Sequence, residues 1–174
     1  KIIDLFSGCG GLTLGFERAG FDVIAGIELM PEAFDTITAN TCLRRGKRLD
    51  TYINGDITQI DGNVFQERVG DEGCIIIGGP PCQAYSLVGR AKINSLAERG
   101  KTFADDKRGQ LYQEYLRFVF SMKPRAIVME NVPESTNYNG INIPQTVCEK
   151  LEKNGQLRRV QGGAVRNGEM VLGE

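Results

Sequence analysis

The sequence predicts an open, mostly parallel α/β sheet with helices on both faces. Three observations carry that prediction. Short apolar runs alternate with segments whose apolar residues recur at helical spacing. Two runs, Cys74–Ile77 and Ala126–Met129, are apolar throughout, as in strands covered on both faces. A glycine-rich turn, Gly8-Cys9-Gly10-Gly11, follows the first apolar run and leads straight into a helical segment.

In chain order, Ile2–Phe6 reads as the first strand and Leu12–Ala19 as a helix closed by Gly20. Asp22–Glu28 is a second strand, followed by a helix opening at Pro31, since proline suits the first helical turn. Thr51–Asn54 is a short third strand and Cys74–Ile77 the fourth. Leu111–Phe120 repeats apolar residues at helical spacing (Leu111, Tyr115, Phe118, Val119), and Ala126–Met129 is the fifth strand. A last helix spans Ile143–Lys153, with Gly155 past its end. Residues 86–109 have weak periodicity and mixed charge, so they read as one long loop, and loops of that length within a domain are usually functional.

Composition narrows the chemistry. At 174 residues, 41% hydrophobic and 25% charged, the chain is sized and composed like one globular domain. No apolar run approaches the roughly 18 residues of a membrane span, and no signal-peptide pattern is seen. Cys9, Cys42, Cys74, Cys82 and Cys148 are odd in number and include no C-x-x-C pair, so reduced thiols in a cytoplasmic or other reducing intracellular compartment are expected. Histidine is absent, which removes Ser-His-Asp and Cys-His catalysis and histidine-held metals; no metal site is expected. The net charge of −1 argues against a wholly basic nucleic-acid-binding domain. Locally, residues 84–109 carry six cations against three acids, an excess of three. Arg44-Arg45-Gly46-Lys47-Arg48 is a second basic cluster, read as a solvated face.

The chemistry-bearing residues sit at predicted strand ends. Glycines after the first strand let backbone approach a ligand and leave helix N–H groups as donors. Glu28 ends the second strand twenty residues after Gly8, where an acid can accept hydrogen bonds from ribose hydroxyls; the plain alternative is a surface acid. Asp56 and Ile57 follow the third strand and can offer a polar contact and an apolar wall, although Asp56 alone reads as a turn residue. Pro80-Pro81-Cys82-Gln83 follows the fourth strand, a stiffened approach that fixes a thiol as a candidate nucleophile. The alternative is a small apolar residue closing a strand. Glu130-Asn131-Val132-Pro133 ends the fifth strand, where partial desolvation is expected to raise the Glu130 pKa. Ligands of open α/β sheets bind outside those carboxyl ends, so these positions are expected to share one crevice.

The ordered motifs Asp4-Leu5-Phe6-Ser7-Gly8-Cys9-Gly10-Gly11-Leu12, Gly78-Gly79-Pro80-Pro81-Cys82-Gln83 with Ser86, and Glu130-Asn131-Val132 resemble those of the cytosine-C5 DNA methyltransferases. Arg108-Gly109-Gln110-Leu111-Tyr112, with Glu114 and Arg117, resembles the family's intervening helix motif. The resemblance covers most of residues 1–134. It implies a Rossmann-like fold, S-adenosylmethionine as cofactor, and double-stranded DNA with a flipped cytosine as substrate. It further implies Cys82 as nucleophile toward C6, Glu130 as the group that binds the base, and Asn131 as support for the Cys82 loop. Phe6, Ser7, Gly8, Gly10, Gly11, Leu12, Glu28, Leu29, Asp56, Ile57, Pro81 and Leu111 are the implied cofactor residues, with Leu29-Met30 covering the adenine. Gln83, Ser86, Arg90 and Lys92 are the implied nucleic-acid contacts, on a mobile active-site loop over residues 86–109.

Residues 1–155 are thus expected to form the catalytic domain, with 156–174 an unassigned tail. The family's Gln-x-Arg-x-Arg segment has only a loose echo in Gln156-Leu157-Arg158-Arg159, and no target-recognition domain or late Gly-Asn motif is recognisable. The chain therefore resembles a catalytic-domain portion. Two alternatives stay open: the same methylation on transfer RNA, and a catalytically silent cofactor-binding regulatory module. A nicotinamide-dependent dehydrogenase would explain the glycine turn and Glu28 but gives Pro80-Pro81-Cys82-Gln83 no role.

Overall fold

The computed structural model describes residues 1–46, 51–81, 111–137 and 141–155. They belong to two compact units, Lys1–Gly79 with Arg117–Val128, and Pro80–Leu116 with Met129–Glu174.

The first unit holds the sheet. Its strands are β1 (Ile2–Leu5), β2 (Val23–Glu28), β3 (Tyr52–Asn54), β4 (Ile75–Gly78) and the edge strand β5 (Ala126–Met129), in the order β3-β2-β1-β4-β5. β1 pairs in parallel with β2 and β4, and β2 with β3. Chain order reverses between β1 and β4, which makes their carboxyl ends the topological switch point. The register levels those ends: Leu5 lies beside Ile27 and Gly78, and Glu28 beside Asn54.

Apolar burial accounts for these strands. Ile2, Ile3 and Leu5 are fully buried, and Ile2, Val23 and Ile77 form a cluster covered by Leu12, Phe16, Ile75 and Val128. The helix α1 (Gly11–Arg18) therefore packs on the Ile2 side of the sheet through Leu12 and Phe16. The helix α2 (Pro31–Arg45) opens with proline in its first turn and ends on Gly46, whose φ of 65° is the left-handed geometry of a helix stop. Arg44 from the basic cluster is paired with Glu17 at 2.8 Å, bracing α2 against α1; Lys47 and Arg48 lie outside the described residues.

The sequence boundaries shift by a residue or so. α1 begins at Gly11, β2 at Val23, β3 at Tyr52 and β4 at Ile75. Just outside these bounds, Asp22 C=O accepts the Ile2 N–H and Cys74 C=O accepts the Arg125 N–H. The short helix α3 (Gln66–Val69) gave no sequence signal, being too brief to show a period. One expectation is overturned: β5 is half-exposed along its whole length, because among the described residues it is an edge strand and not one covered on both faces.

The second unit contains the start of α4 (Leu111–Met122), which runs two residues past the predicted Phe120, and α5 (Ile143–Lys153). Asn142 caps α5 by accepting the Gln145 N–H at 3.0 Å. Ile143, Val147 and Leu151 are buried along one face, and the Lys150 ammonium lies over the Tyr112 ring, 5.4 Å from its centroid.

Candidate functional site

The first unit builds its site on the turn between β1 and α1. Phe6 leaves β1 with φ 58°, a left-handed conformation that costs a non-glycine residue about 1–2 kcal/mol. The turn is then fixed by hydrogen bonds. The Ser7 N–H donates to Ile27 C=O at 3.0 Å, and the Gly10 N–H to Ser7 C=O at 2.9 Å. Gly10, with φ 89°, stands at the N-cap of α1 and has no side chain to cap it.

The start of the helix is held from β1 instead. Asp4 is fully buried, and its Oδ2 accepts the Thr13 hydroxyl at 2.6 Å. Thr13 Oγ1 also lies 3.3 Å from the Tyr52 hydroxyl on β3. Because the Thr13 proton is committed to Asp4, Tyr52 is the donor in that contact. Asp4 Oδ1 is buried with no partner among the described residues. Burial outweighs the Thr13 hydrogen bonds, and the nearby Glu28 charge adds to it, so the Asp4 carboxyl is lifted to about 6.

Glu28 ends β2 at 8% exposure. Its Oε2 accepts the Gly8 N–H at 2.7 Å and its Oε1 the Met30 N–H at 2.8 Å. Each carboxylate oxygen retains a second acceptor direction. Asn54, which sequence reasoning missed, donates to Glu28 C=O and Leu29 C=O at 2.9 and 3.2 Å, so β3 secures the end of β2. Asp56 is exposed and caps the turn Ile57–Gln59 by accepting the Thr58 N–H, the role its plain reading gave. Ile57 is 4% exposed, so it does not present the expected open wall; Leu29 and Met30, 60% and 56% exposed, are the apolar side chains presented here. Arg117 donates to Ile57 C=O at 2.6 Å and lies over the Phe118 ring, holding this turn to α4.

Ser7 and Gly10 are buried, Phe6, Gly8 and Leu12 half-buried, and Gly11 exposed. A Cβ built on Gly8 or Gly11 meets no atom within 4 Å, so a ligand can approach the backbone there. Backbone accessible at a glycine turn, an acid at the neighbouring strand end and two exposed apolar side chains beside it match a ribose and a purine. These residues fit S-adenosylmethionine.

In the second unit, Asn131 Nδ2 donates to Pro80 C=O at 3.5 Å, and its Oδ1 accepts the Val132 N–H at 2.9 Å. This ties the residue after Glu130 to the diproline that precedes Cys82. Pro80 is buried; Pro81 and Leu111, the first residue of α4, are half-buried. Glu130 is exposed and does not stand at the buried strand mouth that the sequence predicted. Cys82, Gln83, Ser86, Arg90 and Lys92 lie outside the described residues.

Among the described residues, Cys9, Cys42, Cys74 and Cys148 form no disulfide. Burial pushes the Cys74 thiol up, which marks it as structural and not nucleophilic. Among the described residues no group of three or more His, Cys, Asp or Glu is placed to hold a metal ion, and no helix is long and apolar enough to cross a membrane.

Known proteins share this chain's pattern. Residues 1–157 match the family described as C-5 cytosine-specific DNA methylase. A sequence of Oceanobacillus iheyensis carrying the name of a type II methyltransferase is 48% identical over 156 residues, covering 89% of this chain and 34% of its own. A type II methyltransferase of Haemophilus parahaemolyticus is 36% identical over 154 residues, covering 88% of this chain and 38% of its own. The crystal structure of a prophage-encoded E. coli protein named as a DNA modification methyltransferase superposes with a TM-score of 0.65 at 30% identity, over 87% of this chain and 37% of that one. The chain thus spans about a third of the length of the curated relatives it matches.

Proposed function

The chain belongs to the C-5 cytosine-specific DNA methylases, and on that premise we propose that its parent protein methylates C5 of cytosine in double-stranded DNA. The observation that carries the reading is the pair Pro80-Pro81-Cys82-Gln83 and Glu130-Asn131-Val132 inside one family match over residues 1–157. The names of the relatives support type II modification as its setting, and DNA as substrate implies an intracellular site of action.

S-adenosylmethionine, when bound, supplies an electrophilic methyl group on a sulfonium. The first unit would hold it: the Gly8–Gly11 turn would meet the amino-acid portion, Glu28 would accept from the ribose, and Leu29 and Met30 would cover the adenine. The remaining chemistry belongs to the chain. Cytosine C5 is too weak a nucleophile to take a methyl group unaided, so the Cys82 thiolate adds to C6, forming an S–C6 bond and shifting the C5–C6 π pair to C5. Glu130, exposed and accessible to a base, hydrogen-bonds N3 and the exocyclic amine as charge builds on the ring. Asn131, through Pro80, steadies the segment that delivers Cys82. After methylation the C5 proton is lost to a base, the C5–C6 double bond reforms and the sulfur departs. A cytosine in a duplex is unreachable, so it is flipped out of the stack. Gln83, Ser86, Arg90 and Lys92 serve the displaced base and the phosphate backbone.

The test uses the full-length parent with S-adenosylmethionine and duplex DNA containing 5-fluorocytosine, in which the C5 substituent cannot leave. A denaturation-resistant protein–DNA adduct is expected, and Cys82→Ser abolishes it. An adduct surviving in Cys82→Ser defeats the nucleophile assignment. Trapping on transfer RNA and not on DNA defeats the substrate assignment.

A further inference from the structure

We propose that Asp4 is the positioning residue of the cofactor turn: from β1, through the Thr13 hydroxyl on α1, it holds residues 6–12 in the conformation that receives the cofactor. The inference rests on the proposed function for the identity of that cofactor.

The geometry supports this step by step. α1 begins at a glycine that offers no capping side chain. Its third residue, Thr13, is fully buried and donates its hydroxyl to Asp4. Asp4 thus grips the first turn of α1, although it precedes the N-cap by six residues. The carboxylate therefore locks the loop Phe6–Gly10 at both ends, since Asp4 lies on the strand entering it and Thr13 on the helix leaving it. Tyr52, reaching Thr13 from β3, extends the lock to the strand whose end carries Asn54 and the Asp56 turn.

The arrangement is poor value as a stability device. A fully buried carboxylate with one unpartnered oxygen is unfavourable, and an apolar residue among Ile2, Ile3 and Leu5 would satisfy the core better. What an apolar residue lacks is an acceptor for the buried Thr13 hydroxyl. Without it that hydroxyl seeks another partner and the turn loses its single conformation.

The experiment compares wild-type full-length parent with Asp4→Ala, Asp4→Asn and Thr13→Val. It reads S-adenosylmethionine binding by calorimetry, the KM-against-kcat split, and hydrogen exchange of residues 8–13 without cofactor. Asp4→Ala is expected to weaken S-adenosylmethionine binding by about tenfold or more, mainly in KM, and to speed exchange across 8–13. Asp4→Asn keeps an acceptor oxygen for Thr13 and is expected to restore most of both. Thr13→Val keeps the shape and removes the hydroxyl, and is expected to show at least a several-fold version of the same loss. Should Asp4→Ala not fold, Thr13→Val decides. Wild-type affinity and wild-type exchange in Thr13→Val overturn the positioning role. A wild-type parent that binds no S-adenosylmethionine overturns the proposed function instead, and the exchange comparison still judges the lock.

Discussion

Glu28 Oε2 accepts the Gly8 N–H at 2.7 Å, joining the end of β2 to the turn after β1 across twenty residues of sequence. The other oxygen accepts the Met30 N–H, so one carboxylate orders the glycine turn and the apolar pair beside it at once. Glu28→Gln should therefore do more harm than the loss of a charge. Its amide nitrogen must face one of two N–H donors, leaving that donor unpaired at a site 8% exposed. We expect S-adenosylmethionine affinity to fall by about ten- to a hundredfold, that is ~1.5–3 kcal/mol, with kcat changed less. Calorimetric titration of the variant checks this, and an unchanged dissociation constant would show that Glu28 does not shape the site.

Gly10 and Ile37 set a steric limit on the same turn. A Cβ on Gly10 falls 2.8 Å from Ile37 Cγ1, and its φ of 89° is itself adverse to a side chain. Gly10→Ala should lose roughly 2–4 kcal/mol in urea unfolding, from backbone strain plus overpacking. At Gly8 the φ is 53° but the space is open, so Gly8→Ala should lose only about 1–2 kcal/mol while still hindering cofactor approach. If the clash with Ile37 is real, Gly10→Ala with Ile37→Ala is less destabilised than the sum of the two by about 1 kcal/mol. Strict additivity would place the whole Gly10 penalty in the backbone.

Asp4 gives the fold a pH signature. Its carboxyl stands at about 6 against an ordinary 3.8, so the folded protein holds this proton more tightly than the unfolded chain does. The associated stability is complete below 3.8 and is lost as pH rises through about 6. The titratable groups facing it are Glu28 from β2, which raises it further, and the Tyr52 phenol reached through Thr13; β4 opposes it only with Ile77. Comparing wild type with Asp4→Asn removes the background of other carboxylates. Their difference in unfolding free energy should shift by up to about 3 kcal/mol between pH 4 and pH 7, with Asp4→Asn gaining relative stability as pH rises. A pH-independent difference would mean that Asp4 titrates in its ordinary range.

The fold was legible because its signals are local. Ile2–Phe6, Cys74–Ile77 and Ala126–Met129 announce strands by composition, and Pro31, Gly20 and Gly155 punctuate helices. Glu28 was legible from its distance to the glycine turn, a spacing that the strand–helix–strand unit imposes. Asp4 was harder. It is a carboxylate inside an apolar run, which is a signal, but its partners Thr13 and Tyr52 lie nine and thirty-nine residues beyond it and beyond Thr13, and only packing brings them together. Burial misled twice for the same reason: Glu130 is exposed and Ile57 enclosed because strand order and a tight turn decide exposure, and neither is written in the residue itself.

Asn131 offers the separation of cofactor binding from base chemistry. Its side chain donates to Pro80 C=O and accepts the Val132 N–H, both within the second unit. Removing the amide should loosen the diproline segment ahead of Cys82 without altering the residues assigned to S-adenosylmethionine. For Asn131→Ala in the full-length parent we expect adduct formation on 5-fluorocytosine DNA to slow by about tenfold, the scale of a lost positioning hydrogen bond. The S-adenosylmethionine dissociation constant should stay within about twofold of wild type, a difference of ~0.4 kcal/mol. Rapid-quench trapping paired with calorimetry measures both quantities on one preparation. Equal losses in the two would tie Asn131 to the cofactor side, whereas slow trapping with intact cofactor affinity assigns it to the delivery of Cys82.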